Sequence, residues 1–357
     1  MGAALAARAG NGGHAWTRIS LVRGLERLGF DVLLIEEVDS ATDEERSYFE
    51  RVCADFRIAG AIVAGPADAR VIDRANAAAL VLNVGGNLTL GKLGAPHAVK
   101  IYLDDDPGYT QLWHDEGLID ARLAGHDIYF TFGANVGRAG CDLPVDGIQW
   151  HATRPVVVLD DWPVIEPMPL GFSTVASWRG GYGRVEHRGK LYGQKAHEFR
   201  RFAPLPQVVA GSFEIALQID ADDAADAELM RGWGWVLVDP NTAASSPAAF
   251  RDYVQGSAAE FSVAQGIYVE TACGWFSDRT TRYLASGRPA LVQDCGFSSN
   301  IPAGEGLVAF TTIAEAAAGA ESIAQNYDAH ARAARAIAEE YFDSDRVLGS
   351  MLAEAGL

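Results

Sequence analysis

GWFSDRTTRYLASGRPALVQDCGF, Gly274 to Phe297, carries the strongest structural signal in the chain. It reads as a Gly-rich turn, a short helix starting near Ser277, a Gly-Arg-Pro break, a buried strand Ala290–Gln293 and an acidic loop at Asp294. A helix N-terminus offers unpaired N–H groups and the positive end of the helix dipole, which suits a phosphate. Arg279 and Arg282 add fixed positive charge beside that first turn, and arginine grips phosphate bidentately. The segment therefore reads as a seat for a diphosphate. Ser277 and Asp278 fit that seat, and they equally fit the ordinary task of capping a helix.

Outward from this segment the chain alternates strand and helix signals. Helices are expected over Trp16–Leu28, Asp43–Phe56, Pro66–Ala77 and Tyr109–Leu123, and strands over Val32–Ile35, Ala61–Ala64, Leu80–Val84, Ile101–Leu103, Ile128–Phe132 and Val156–Leu159. A proline-rich run, Asp161–Gly171, reads as a linker. A second series follows, with strands Thr174–Trp178, Phe213–Ile219, Trp235–Val238 and Leu307–Phe310 and helices Gly193–Phe202, Asp223–Gly232 and Pro247–Gly256. Three helices, Thr312–Gln325, Asp328–Phe342 and Asp345–Glu354, close the chain. Buried strands alternating with helices predict α/β architecture with parallel, doubly wound sheets, and 357 residues suffice for two such domains.

The net charge of −18 argues against a nucleic-acid partner or an anionic membrane face. No apolar run is long enough for a membrane span, and the N-terminus lacks a signal-peptide core, so a cytoplasmic protein is expected, monomeric or homodimeric. Cys53, Cys141, Cys273 and Cys295 are scattered without a CxxC pair, which favours free thiols over disulfides or a zinc site. An acidic molecule that binds a diphosphate must concentrate positive charge locally, which adds weight to the arginines.

The opening segment also resembles the donor-binding region of GT-B glycosyltransferases, in which a helix, a small-Gly-x-Pro break and a strand cradle a nucleotide sugar. GNGGHAWTRISLVRGLERLGFDVLLIEE, Gly10–Glu37, looks like the opening of that fold, and YLDDDPGYTQLWH, FTFGANVG and GIQWHATRPVVVLDDWP resemble bacterial proteins of the same class. The resemblance spans nearly the whole chain. It implies two facing Rossmann-like domains, an acceptor-binding domain over residues 1–165 and a nucleotide-sugar-binding domain over 166–340, with residues 341–357 returning to the first. The implied activity is transfer of a sugar from a UDP- or dTDP-sugar to a small-molecule acceptor, without metal or other cofactor and by inverting displacement.

On that resemblance Lys195, at a helix start, faces the phosphates beside Ser277, Asp278 and Arg279, and Asp294 with Gly296 contacts sugar hydroxyls. Aligned on Gly287, the paired carboxylates of retaining Glu-x7-Glu enzymes fall on Gly274 and Arg282, so retaining chemistry of that type loses support and Glu260 becomes the substitute ribose contact. In the first domain Gly12 and Gly13 permit close substrate approach. His14 stands where inverting enzymes keep a histidine base, and Asp106 of the Asp104–Asp106 cluster is the rival base. Trp16, Trp113, Trp150 and Trp178 are candidates for stacking on a ring or for packing. Three other readings stay open: a dinucleotide-dependent oxidoreductase, with GNGG as its glycine motif and Glu36 or Glu37 as its ribose acid, a GT-B sugar-nucleotide epimerase, and a catalytically silent subunit.

Overall fold

The computed structural model describes residues 1–166, 171–180 and 182–357. Its first sheet comprises β1 (Leu33–Val38), β2 (Ala59–Ala64), β3 (Leu80–Val84), β4 (Val99–Asp104), β5 (Ile128–Thr131) and β6 (Trp150–Ala152). All pairings are parallel, β1 with β2 and β3 through β6 in sequence. Gly2 joins the two groups by bridging in parallel to Ile35 of β1 and Asn83 of β3. The chain start thus occupies the centre of the sheet, although its Gly-Ala composition carries little strand signal.

The second sheet contains β7 (Gly171–Ser177), β10 (Ser212–Gln218), β11 (Val236–Val238), β12 (Ala259–Ser262), β13 (Ala290–Gln293) and β14 (Leu307–Phe310). Its order is β11-β10-β7-β12-β13-β14, again all parallel. A small antiparallel hairpin, β8 (Val185–His187) with β9 (Lys190–Tyr192), stands outside it. Strands β12 and β13 are buried at every position, as expected of strands covered by helices on both faces. In each sheet the first segment lies centrally and the winding reverses beside it. This is the doubly wound Rossmann arrangement, in which ligands sit outside the carboxyl ends of the strands at the switch point.

The lobes share packing. Helix Gly12–Arg27 of the first lobe lies against helix Pro247–Gln255 of the second, and the Trp16 Nε1–H donates to Pro247 O at 2.7 Å. Helix Ser344–Glu354 crosses back onto helix Gly12–Arg27, where a Cβ on Gly24 would lie 2.5 Å from Leu348 Cδ1. No helix among the described residues is long and apolar enough to cross a membrane. All four cysteines are free and buried.

Some expected elements differ. The helix from Tyr109 ends at Asp115 and not at Leu123, because Gly117 takes φ +66° and closes it with Gly117 N–H to His114 O at 3.0 Å and Leu118 N–H to Trp113 O at 2.9 Å. Val156–Leu159 is no sheet strand. Val157 instead exchanges backbone bonds with Phe342 and Ser344, at 2.9 and 3.0 Å, which tethers the returning tail. Strand β6, the β8–β9 hairpin and helix Gly266–Thr271 had no sequence expectation, being too short for periodicity to register. Of the expected linker, Pro167 and Pro169 lie outside the described residues.

Candidate active site

A cavity of about 710 Å³ lies between the lobes at the carboxyl ends of both sheets. Its second-lobe wall includes Ser177 at the end of β7, Gln218 at the end of β10, Asn241 after β11, Gln265 after β12, and Trp275, Ser277, Asp278 and Arg279. Helix Asp278–Ala285 begins at this wall. Its N-cap Ser277 makes no side-chain capping bond, so the first-turn N–H groups keep their donors for a ligand.

Arg279 lines the cavity, but its guanidinium is built into the lobe: Nε meets Glu260 at 2.6 Å, Nη1 meets Val175 O at 2.9 Å and Nη2 meets Ser262 Oγ at 2.7 Å. Three of five donors are spent, two remain, and Glu260 balances the charge. Lys195, at the start of helix Lys195–Phe202, also lines the cavity, and only its backbone N–H is tied, to Gln265 Oε1 at 2.8 Å. Burial and the neighbouring Arg279 push the Lys195 ammonium down to about 7, against the pull of Asp106, Glu260 and Asp278. Lys195 is therefore a cavity-lining cation with no ion pair among the described residues.

Five expected contacts lie elsewhere. Arg282 is fully buried and pairs with Asp278 at 2.8 Å one helical turn away, with Thr17 Oγ1 at 3.3 Å. It does not line the cavity; it ties the lobes, since Asp278 also receives the Thr17 hydroxyl. Burial disfavours the Asp278 charge, yet Arg282, Thr17 and Arg279 together hold its carboxyl below the ordinary value. Glu260 is buried in β12 beneath Arg279 and positions that arginine. Asp294 folds its own turn, accepting Gly296 N–H at 2.8 Å and the Ser298 hydroxyl. Gly296 and Gly12 serve lobe packing: a Cβ would lie 2.6 Å from Asn135 Nδ2 at Gly296 and 2.1 Å from Ser246 O at Gly12. Gly13, by contrast, does line the cavity.

The first-lobe wall carries Arg8, His14, Thr17, Arg18, Asp105 and Asp106. His14 donates its backbone N–H to Asn11 Oδ1 at 2.9 Å. Its Nδ1 is buried without a partner among the described residues. Burial, then the charges of Arg18, Arg8 and Arg282, hold the imidazole well below its usual pKa, so it is neutral. With no acceptor for an Nδ1 proton, the favoured tautomer carries the proton on Nε2 and donates.

The three aspartates at the end of β4 have separate fates. Asp104 is fully buried and accepts Thr110, Gln111 and Thr131, each at 2.8 Å. Asp105 pairs with Arg18 at 2.9 Å. Asp106 accepts the Tyr268 hydroxyl, and burial with the Asp105 charge raises its carboxyl to about 7. None of Trp16, Trp113, Trp150 and Trp178 lines the cavity; Trp275 does, stacked on Tyr268 at 4.4 Å. Arg8, Arg18, Asp105 and Trp275 were not among the expected site residues. Arg18 follows His14 by one helical turn, the spacing that could have revealed it.

The oxidoreductase reading meets an obstacle in the same wall. Glu36 is fully buried and accepts backbone N–H groups of Leu5, Ala6 and Ala7, at 2.8 Å for Leu5 and 2.9 Å for Ala7. Glu37 accepts Thr89 and Lys92. Neither carboxylate is free for a ribose.

No protein-family model matches the chain, and no curated protein matches it in sequence. Solved structures do match. An "alpha-glucosyltransferase in complex with UDP-glucose and DNA containing an abasic site" is similar with TM-score 0.64 and 9% identity, over 98% of this chain and 97% of that one. Anabaena HepE in complex with UDP-glucose gives TM-score 0.61 and 11% identity over 97% of both chains. Sucrose-phosphate synthase from Thermosynechococcus elongatus gives 0.53 and 10% over 94% and 91%. With two facing Rossmann-like lobes and the returning helix, the fold is GT-B.

Proposed function

We propose that the protein transfers a glycosyl group from a nucleoside-diphosphate sugar to a hydroxyl of a small-molecule acceptor, with inversion. The observation that carries this reading is the polarity of one cavity. A helix start with unspent donors and a lysine with unspent charge form its second-lobe wall, opposite a carboxyl poised near neutrality on the first.

The pyrophosphate lies against the N–H groups of Asp278–Ala285, Lys195 and the two remaining donors of Arg279, which stabilise the charge that gathers as the sugar–phosphate bond breaks. The acceptor lies on the first lobe, and Asp106 takes its proton as the new glycosidic bond forms. His14 donates through Nε2 and orients the acceptor or the transferring sugar. Closure between the lobes keeps water from competing. The proposed chemistry uses no metal. Asp104, Asp105 and Asp106 bear the spacing of a metal-binding Asp-x-Asp, and their carboxylates already serve Thr110, Gln111 and Thr131, Arg18, and Tyr268 in turn. Four free buried thiols suit a reducing, cytoplasmic setting. Release of UDP or dTDP from the corresponding glucose donors, measured with and without pools of hydroxylated acceptors, tests the activity. Acceptor-dependent release is the expected result; absence of nucleotide release from every donor would overturn the reading.

A further inference from the structure

The charges of the cavity nearly cancel in pairs. Arg18 is matched by Asp105 at 2.9 Å and Arg279 by Glu260 at 2.6 Å; behind the wall Arg282 is matched by Asp278 at 2.8 Å. Lys195 belongs to the donor wall. One lining cation is left over: Arg8, exposed and without an ion pair to any described carboxylate, its guanidinium 5.8 Å from the Tyr182 ring centroid. Two lining carboxylates stand outside these pairs: Glu44, exposed and not paired with Arg8, and Asp106, which accepts the Tyr268 hydroxyl and serves as the base.

Arg8 does not hang from a loose terminus. It closes the turn Ala6–Arg8, and the buried Glu36 carboxylate clamps three successive backbone N–H groups immediately before it. The backbone that carries this surface arginine is therefore preorganised. His14 lines the same wall with a donor and no acceptor to offer, and Arg18 stands one turn further along its helix. Beside the base Asp106 the wall therefore presents hydrogen-bond donors and a cation, Arg8, with no ion pair among the described residues, in a molecule of net charge −18.

From this we propose that the acceptor carries an anionic group, a phosphate monoester or a carboxylate, held by Arg8 with the His14 Nε2–H beside it. The assignment rests on the glycosyl-transfer reading, which places the acceptor on the first lobe. Calorimetry on protein saturated with UDP, titrated in parallel with glucose, glucose 6-phosphate and glucuronate, tests it. At least one anion is expected to bind at least tenfold more tightly than glucose. Arg8→Ala is expected to remove that advantage while UDP affinity and melting temperature stay unchanged. Preference between the two anions tells phosphate from carboxylate. Equal binding of all three sugars, or an anion preference that survives Arg8→Ala, would overturn the subsite. Failure of UDP itself to bind would instead count against the donor site, and the Arg8 comparison would then be read on the free protein.

Discussion

At Asp106 two effects oppose each other. Burial and the Asp105 charge disfavour the carboxylate, the Tyr268 hydroxyl favours it, and the balance lies at about 7. A carboxyl in that position is a competent base at neutral pH, whereas an ordinary aspartate is a weak one. Activity should rise with pH through about 7 as this group ionises. Asp106→Asn should lower kcat by roughly 10²- to 10⁴-fold and abolish that rise, with donor KM little changed. An unaltered pH–rate profile in the variant would remove Asp106 from the chemistry. The linkage has the opposite sense for folding. Because the folded value is raised, the stability Asp106 contributes is complete below its unfolded pKa and is lost as pH climbs through about 7. The Asp104–Asp106 run was visible in the sequence. Its division into a buried hub, an ion-pair partner and a base was not, since Thr131, Arg18 and Tyr268, the partners that make the difference, are remote along the chain.

Helix Gly12–Arg27 shows what element-level reading delivers and where it stops. Its apolar spacing and preceding glycines were legible, and the structure places Gly13 and His14 at the cavity. Gly12 was expected to admit a substrate, but it admits the other lobe: its N–H reaches Ala244 O at 2.7 Å. Close approach of backbone to backbone and of backbone to ligand impose the same requirement for glycine, so sequence cannot separate them. Gly296 repeats the lesson at Asn135. Arg282 is a third case, for the pairing of Asp278 with Arg282 at i,i+4 was readable from spacing alone and competes with any phosphate role. Gly12→Ala should destabilise the protein by about 1–3 kcal/mol, because the new methyl meets backbone that cannot rotate away. Thermal unfolding checks this, and a melting temperature equal to the parent's would show that the lobes are not held together there.

Across the whole molecule the parallel, twice-wound design was legible because buried strands are continuous apolar runs and the helices between them are amphipathic. The sheet's central first segment was not, because three residues of Met-Gly-Ala carry no pattern and acquire their place only from β1 and β3 on either side. At this scale charge decides: on the proposed function, an acidic protein sets Lys195, without an ion pair among the described residues, against a diphosphate at the lobe interface. With a value of about 7 in the empty site, Lys195 is mostly neutral at pH 8, and an arriving diphosphate should draw a proton onto it. Isothermal titration of UDP at pH 8 in buffers of different ionisation enthalpy, on the parent and on Lys195→Met, measures this directly. Uptake of roughly 0.5–1 proton is expected for the parent, and in the variant no uptake with affinity weaker by about 1.5–3 kcal/mol. UDP binding without proton uptake, equally tight in both proteins, would contradict it.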